Sequence, residues 1–165
     1  MSDRVPEGWQ NITLGDLTTL ITKGTTPRSY FAEGINFIQV ESVSTSGNLI
    51  PEKFSKISLN EHEGQKRSQL KSGDILFAIA GSLGRLAMVK NSHIPANTNQ
   101  ALAIIRLKEG SIGGKFCLQQ LGSEEIQREI RSLQTVGAQP NLSLQQVSDI
   151  SIPIPPLPEQ KKIAS

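Results

Sequence analysis

The side chains best equipped for chemistry in this chain form one run, Thr22-Lys23-Gly24-Thr25-Thr26-Pro27-Arg28-Ser29-Tyr30. Hydroxyls and cations suit phosphate oxygens, and the Arg28 guanidinium carries the paired donors that match a base edge. Gly24 and Pro27 hold the run as a loop. Two readings stay open from these residues alone: a solvated surface loop, or a loop that grips a nucleic-acid backbone. Charge does not decide between them. The chain of 165 residues carries only +2, yet residues 51–90 hold Lys53, Lys56, Lys66, Arg67, Lys71, Arg85 and Lys90 against four acids. A surplus of that size is also what an ordinary solvated face carries.

Catalytic chemistry finds no comparable foothold. His62 reads as part of a charged, exposed helix and His93 as part of a turn beside Pro95. The single cysteine, Cys117, excludes an internal disulfide, lies in an apolar helical run and reads as a small core residue. Two histidines and one cysteine, far apart in sequence, make neither a zinc site nor a thiol–imidazole pair. Asp16, Glu41, Asp74 and Asp149 are scattered and read as caps or turn residues. Gly110-Ser111-Ile112-Gly113-Gly114-Lys115 misses the spacing of a phosphate-binding loop and is followed by Phe116, where that loop needs a hydroxyl. Gly81-Ser82-Leu83-Gly84 is similar to the backbone clamp of one RNA-binding module, but it joins strands rather than helices. Pro155-Pro156 lacks the polar and aromatic flanks of an amino-methyltransferase loop. The expectation is a binding module with no enzymatic activity, cofactor or metal of its own.

The elements that must position the loop follow from hydrophobic pattern. Pro6-Glu7-Gly8-Trp9 reads as a turn that anchors its Trp on the core. Ile12, Leu14, Leu17, Leu20 and Ile21 recur at helical spacing, with Thr13 or Asp16 as caps. Ile35–Val40 reads as a buried strand, and a short helix is expected near Glu61–Arg67. Asp74–Ala80 and Arg85–Val89, joined by Gly81–Gly84, form a hairpin. The amides and hydroxyl of Asn97-Thr98-Asn99-Gln100 are expected to lock the following strand, 101–107, against that hairpin through buried hydrogen bonds. Two helices follow, Ile112–Leu121 and Ser123–Leu133, the second capped by Ser123 with an acidic first turn. After a polar turn and a short helical pattern, Ile150–Ile154 is a strand that Pro155 and Pro156 must end or leave at an edge. Leu157-Pro158-Glu159-Gln160-Lys161 then opens a helix. A polyproline ligand is the other reading of those prolines; continuity with strand and helix favours a hinge. With 36% hydrophobic and 19% charged residues, the chain has the composition of a globular domain. No apolar run approaches the roughly 20 residues of a membrane span, and residues 1–7 lack a signal-peptide core, so a cytoplasmic location without membrane contact is expected.

Several of these pieces occur together, in order, in one family. Pro6-Glu7-Gly8-Trp9, Leu14-Gly15-Asp16-Leu17, Gly24-Thr25-Thr26-Pro27, Gly73-Asp74-Ile75-Leu76-Phe77, Gly81-Ser82-Leu83-Gly84-Arg85, Asn97-Thr98-Asn99-Gln100, Gln139-Pro140-Asn141 and Ile152-Pro153-Ile154-Pro155-Pro156-Leu157-Pro158-Glu159-Gln160 run through almost the whole chain. On them the sequence resembles the target-recognition half of a DNA specificity (S) subunit of type I restriction–modification systems.

That resemblance implies an α/β (α+β) domain, residues 1–155, whose twisted, mostly antiparallel sheet is flanked by short helices and places its loops on double-stranded DNA. Residues 156–165 would begin a spacer helix behind the Pro-rich hinge, cut short here. Partners implied are methyltransferase (M) subunits and, through them, restriction (R) subunits, with a second specificity half reading the rest of a split target. S-adenosylmethionine belongs to the methyltransferase partner. Arg28 is the first choice for a base contact, followed by Gln39 and Ser42. Lys23, Thr25, Thr26, Ser29 and Tyr30 complete the loop. Lys53, Lys56, Lys66, Arg67 and Arg85 are assigned to phosphates. Gln139 and Asn141 either contact DNA or satisfy backbone in their turn. The alternative is a truncated or decoy scaffold that binds methyltransferase subunits without reading DNA.

Overall fold

Strand alternation explains how one sheet supports two cores. The computed structural model describes residues 6–133 and 141–164. At its centre lies a four-stranded antiparallel sheet in the order β2-β8-β5-β6. These strands are β2 (Thr18–Lys23), β5 (Ile75–Ala78), β6 (Leu86–Met88) and β8 (Leu102–Leu107). Successive side chains of a strand point to opposite faces. Ile75, Phe77, Ala103 and Ile105 therefore enter one core, while Leu76, Ala78, Leu102 and Ile104 enter another. Burial on both faces is why these strands read as continuous apolar runs.

The first core is closed by helices. Phe116, Cys117 and Leu121 come from α2 (Gly114–Leu121), Ile126 and Ile130 from α3 (Glu124–Ser132), and Val147 from α4 (Leu144–Ser148). Burial pushes the Cys117 thiol up to about 12, leaving it an inert packing residue. The Ser123 hydroxyl accepts from the Ile126 N–H, the cap read from sequence. Beneath this layer β1 (Gln10–Thr13) pairs antiparallel with β9 (Ser151–Ile154), and Trp9 packs against the same core. After Pro155 and Pro156 the chain enters α5 (Leu157–Ala164). Its buried Gln160 accepts from the Gly113 N–H at the start of α2 and donates to the Pro155 carbonyl.

The second core supports a smaller, mixed sheet. β3 (Ile35–Ile38) pairs antiparallel with β4 (Ser55–Ile57) and parallel with β7 (Ala96–Thr98). α1 (Leu59–Gly64) follows β4, capped by the Ser58 hydroxyl on the Glu61 N–H. The expected antiparallel pairing thus holds, divided among three sheets.

Several expectations need correction. The helical spacing over Ile12–Ile21 belongs to no helix: β1 and β2 flank a one-turn 3-10 helix, Leu14–Leu17, whose Leu14 and Leu17 are buried. Thr18, Thr19, Ile21 and Thr22 are β-branched and favour the extended chain that follows. Thr13 does cap, accepting from the Asp16 N–H. Asp74 is more than a turn residue. It is 1% exposed, accepts from the Lys71 N–H, and forms a two-pronged pair with Arg106, Nε–Oδ1 and Nη2–Oδ2 both 2.8 Å. Its carboxylate bonds hold the Arg106 pKa above the ordinary value. Asn97 and Thr98 do make buried hydrogen bonds, but as part of β7 and toward α1 and β3 rather than toward the hairpin.

Candidate functional site

Gly24 sets where the loop leaves the sheet. A Cβ at this position would stand 1.7 Å from the Thr98 carbonyl oxygen, so only glycine lets β2 pass this close to the end of β7. The Gly24 N–H donates to Asn99 and the Thr25 N–H to Thr98. Beyond that point the loop is fastened side chain by side chain. Thr26 Oγ1 donates to Gln100 Oε1 at 2.8 Å. The Arg28 backbone N–H donates to the Glu61 carboxylate on α1, and its side chain stays exposed. The Tyr30 ring stands edge-on to Phe37, centroids 5.9 Å apart, and the Phe31 N–H donates to the Lys56 carbonyl.

A buried amide holds α1 in turn. Asn97 Oδ1 accepts from the Thr98 N–H and the Ser68 hydroxyl; its Nδ2 donates to the Gln65 carbonyl and His62 Nδ1. All four hydrogen-bonding positions of the amide are used. The exposed His62 expected from sequence is therefore corrected: it is 8% exposed, with Nδ1 an acceptor. Burial, opposed by the Glu63 charge, lowers its pKa below 6.5. Ser68 closes the turn that carries Lys66 and Arg67, and this turn packs beside β2.

The sequence-derived residues therefore separate. Lys23 ends β2, and Thr25, Thr26, Arg28, Ser29, Tyr30, Gln39, Lys66 and Arg67 lie on the loop after it, the small sheet's margin and the turn after α1, with Lys53 exposed just before β4. Ser42 is excluded as a base contact: it is fully buried, and its hydroxyl donates to the Lys53 carbonyl. Lys56 follows Ser55 on β4, so alternation turns it away from the face that Ser55 shares with Gln39, and its amine is held by Asn36 Oδ1. Arg85 lies apart. Its guanidinium donates to the Val43 carbonyl in a groove of about 620 Å³ between residues 45–48, the hairpin turn and α2. That turn is pinned by Gln127, which donates to the Gly84 carbonyl, and a Cβ on Gly84 (φ +86°) would strike the Gln127 amide. Asn141 is exposed and bridges Ala80; Gln139 lies outside the described residues.

Sequence reasoning missed Glu61, Ser55 and Phe31, and gave Gln100 to the following strand rather than to Thr26. Phe31, 53% exposed beside the 49% exposed Tyr30, was visible as a second aromatic. The others become legible only through contacts distant in sequence. Between Lys23 and Arg67 the chain has six cations and five carboxylates, so the surface is mixed rather than strongly basic. Among the described residues no helix is long and apolar enough to cross a membrane, and no three metal-ligating side chains gather.

A family model described as the type I restriction modification DNA specificity domain matches residues 6–165. Two curated relatives are the MjaVIII type I restriction enzyme specificity subunit of Methanocaldococcus jannaschii, 27% identical over 97% of this chain, and the EcoBI specificity subunit of Escherichia coli, 26% identical over 96%. The chain spans only 39% and 34% of their lengths. Among solved structures, the HsdS subunit of Thermoanaerobacter tengcongensis superposes with a TM-score of 0.72 at 22% identity, over 98% of this chain and 37% of that one. The S subunit of M. genitalium gives 0.66 at 16% identity, over 99% and 39%. A structure of a type I R-M system gives 0.73 at 21%, over 98% and 37%. These likenesses establish the α/β fold with its antiparallel sheets and short helices.

Proposed function

This chain belongs to the type I restriction–modification DNA specificity domain family, and from that premise we propose that it reads double-stranded DNA for such a system. In this reading it recognises half of a split target and brings methyltransferase and, through them, restriction subunits to it. S-adenosylmethionine and the reacting groups are supplied by the methyltransferase partner; this chain contributes address rather than chemistry. α5 leads toward a spacer helix on which assembly would depend.

One observation carries the proposal. The Arg28 backbone is tied to Glu61 while its side chain remains exposed, on the loop whose Tyr30 also holds Gln39. A guanidinium can place two parallel donors on guanine O6 and N7, and here the backbone that carries it is already fixed. The exposed cations Lys23, Lys53, Lys66 and Arg67 suit phosphates, which set register without reading sequence.

Modified-base mapping of host DNA with and without the chain names the target. On that target Arg28→Ala weakens binding by about 1–3 kcal/mol and relaxes preference at one position. Equal loss on every sequence would refute the assignment of Arg28 to a base. The near balance of charge on this surface favours a second reading, a scaffold that binds methyltransferase without reading DNA. Co-purification with methyltransferase and no salt-sensitive DNA binding would establish it.

A further inference from the structure

Gln39 is held on both atoms of its amide, yet its side chain reaches the margin of the recognition surface. Ser55 Oγ donates to Gln39 Oε1 at 2.8 Å, and Gln39 Nε2 donates to Tyr30 Oη at 3.2 Å. Both holding groups are themselves fixed. Ser55 is in β4, in register with Phe37 of β3, and the Tyr30 ring rests edge-on against Phe37, which is 2% exposed. Gln39 continues β3 with extended backbone, φ −122° and ψ 170°, and is half-buried. Among the described residues three other amides are held on both atoms: Asn97 and Gln160, 1% and 5% exposed, face inward, and the half-buried Asn36, between the His93 carbonyl and the Lys56 amine, lies on the opposite face of β3 from Gln39. Gln39 combines the same restraint with access to solvent.

We propose that Gln39 is an adenine-reading amide, pre-set by Tyr30 and Ser55, which specifies one A·T pair of the target. The inference rests on the DNA-binding reading above. A carboxamide has two N–H donors and two oxygen lone pairs. The clamp uses one of each and leaves one donor and one acceptor. Adenine presents the complementary pair in the major groove, N7 accepting and N6–H₂ donating. Guanine offers two acceptors there, and cytosine or thymine a single polar group, so each leaves part of the amide unmatched. Arg28 and the lysines only donate and cannot make this distinction. The rotamer freedom that a free glutamine would lose on binding is already spent in the folded protein, so a match costs little order and a mismatch exposes a fixed, unsatisfied group.

A plain structural staple would use the same hydrogen bonds, so the test must separate stability from base choice. The full chain is bound to a randomised duplex pool and the preferred sequence is determined for wild type, Gln39→Ala, Ser55→Ala and Tyr30→Phe. Gln39→Ala should flatten preference at one A·T pair, by about 5- to 150-fold from the usual worth of a bidentate contact, and leave other positions unchanged. Ser55→Ala and Tyr30→Phe should keep adenine as the preferred base with a smaller margin. Replacing that adenine by 7-deazaadenine, which removes N7, should weaken wild type and leave Gln39→Ala unaffected. Equal weakening of all sequences by Gln39→Ala, or an equal 7-deazaadenine penalty in both proteins, would reduce Gln39 to a staple and overturn the proposal. A wild-type chain that selects no duplex overturns the DNA reading itself, a different outcome from either.

Discussion

Replacing Lys66 and Arg67 together by alanine should halve the salt dependence of DNA binding. The turn that carries them is fixed from below: Ser68 donates to Asn97, the Gln69 N–H donates to the Lys66 carbonyl, and both cations are exposed. Among the described residues neither has an ion-pair partner. Arg28 is assigned to a base and Lys56 is held by Asn36, so the phosphate contacts proposed for this surface are Lys23, Lys53, Lys66 and Arg67. Counterion release gives a log–log salt slope of about −0.9 per phosphate neutralised, hence about −3.6 for these four and about −1.8 after the double replacement. Between 50 and 200 mM salt, wild type should then lose roughly 150-fold in affinity and the variant roughly 12-fold. Because this contribution is independent of sequence, fluorescence anisotropy with any labelled duplex measures it before the target is known. Lys115→Ala, on α2 and away from this surface, serves as the control and should leave the slope unchanged. An unchanged slope in the double variant, or an equal fall with Lys115→Ala, would refute the assignment of phosphates to this turn.

Other outcomes follow from packing and protonation. Asp74→Ala leaves Arg106 facing a largely buried space without its carboxylate, and should cost about 3 kcal/mol in urea unfolding, with Asp74→Ala/Arg106→Met recovering most of it. Gly24→Ala drives a Cβ into the Thr98 carbonyl and should cost about 1–3 kcal/mol in the same assay; limited proteolysis should show the loop more readily cut. His62 and His93 both have folded pKa values lowered below 6.5 by burial. Below pH 6.5 the unfolded chain therefore binds more protons than the folded one, and stability falls as pH drops toward the folded values. His62→Gln should remove part of that slope in unfolding measured from pH 7.5 to 5, with His93 acting in the same direction and Glu129, whose pKa is raised by burial and Glu125, opposing it toward the acid end. An unchanged slope would contradict the buried, neutral His62.

Short-range pattern and family-like motifs made much of this protein legible. The apolar runs Ile75–Ala78 and Leu86–Met88 around a Gly-containing turn, the Ser123 cap and the Pro155–Pro156 stop are decided within a few residues, where local backbone preferences dominate. The run from Thr22 to Tyr30 stands out by residue type, although its first two residues close β2 and the loop begins at Gly24. Apolar spacing misled at Ile12–Ile21 because two strands and a single 3-10 turn supplied the same period as one helix. Ser42 and Lys56 looked as eligible as Arg28 because composition does not say which way a side chain points.

Only tertiary pairing decided those directions. The parallel match of β3 with β7 joins Phe37 to Asn97, and this places the Asn97 amide beneath α1 and so fixes Glu61 against the Arg28 backbone. The antiparallel match of β3 with β4 puts Ser55 beside Gln39 and turns Lys56 away. A one-residue slip in either pairing would exchange the faces and dismantle the surface. By itself the sequence determined the local elements, the eligible side chains and the family. Strand register, which depends on contacts many residues apart, determined which side chains stand together on one surface.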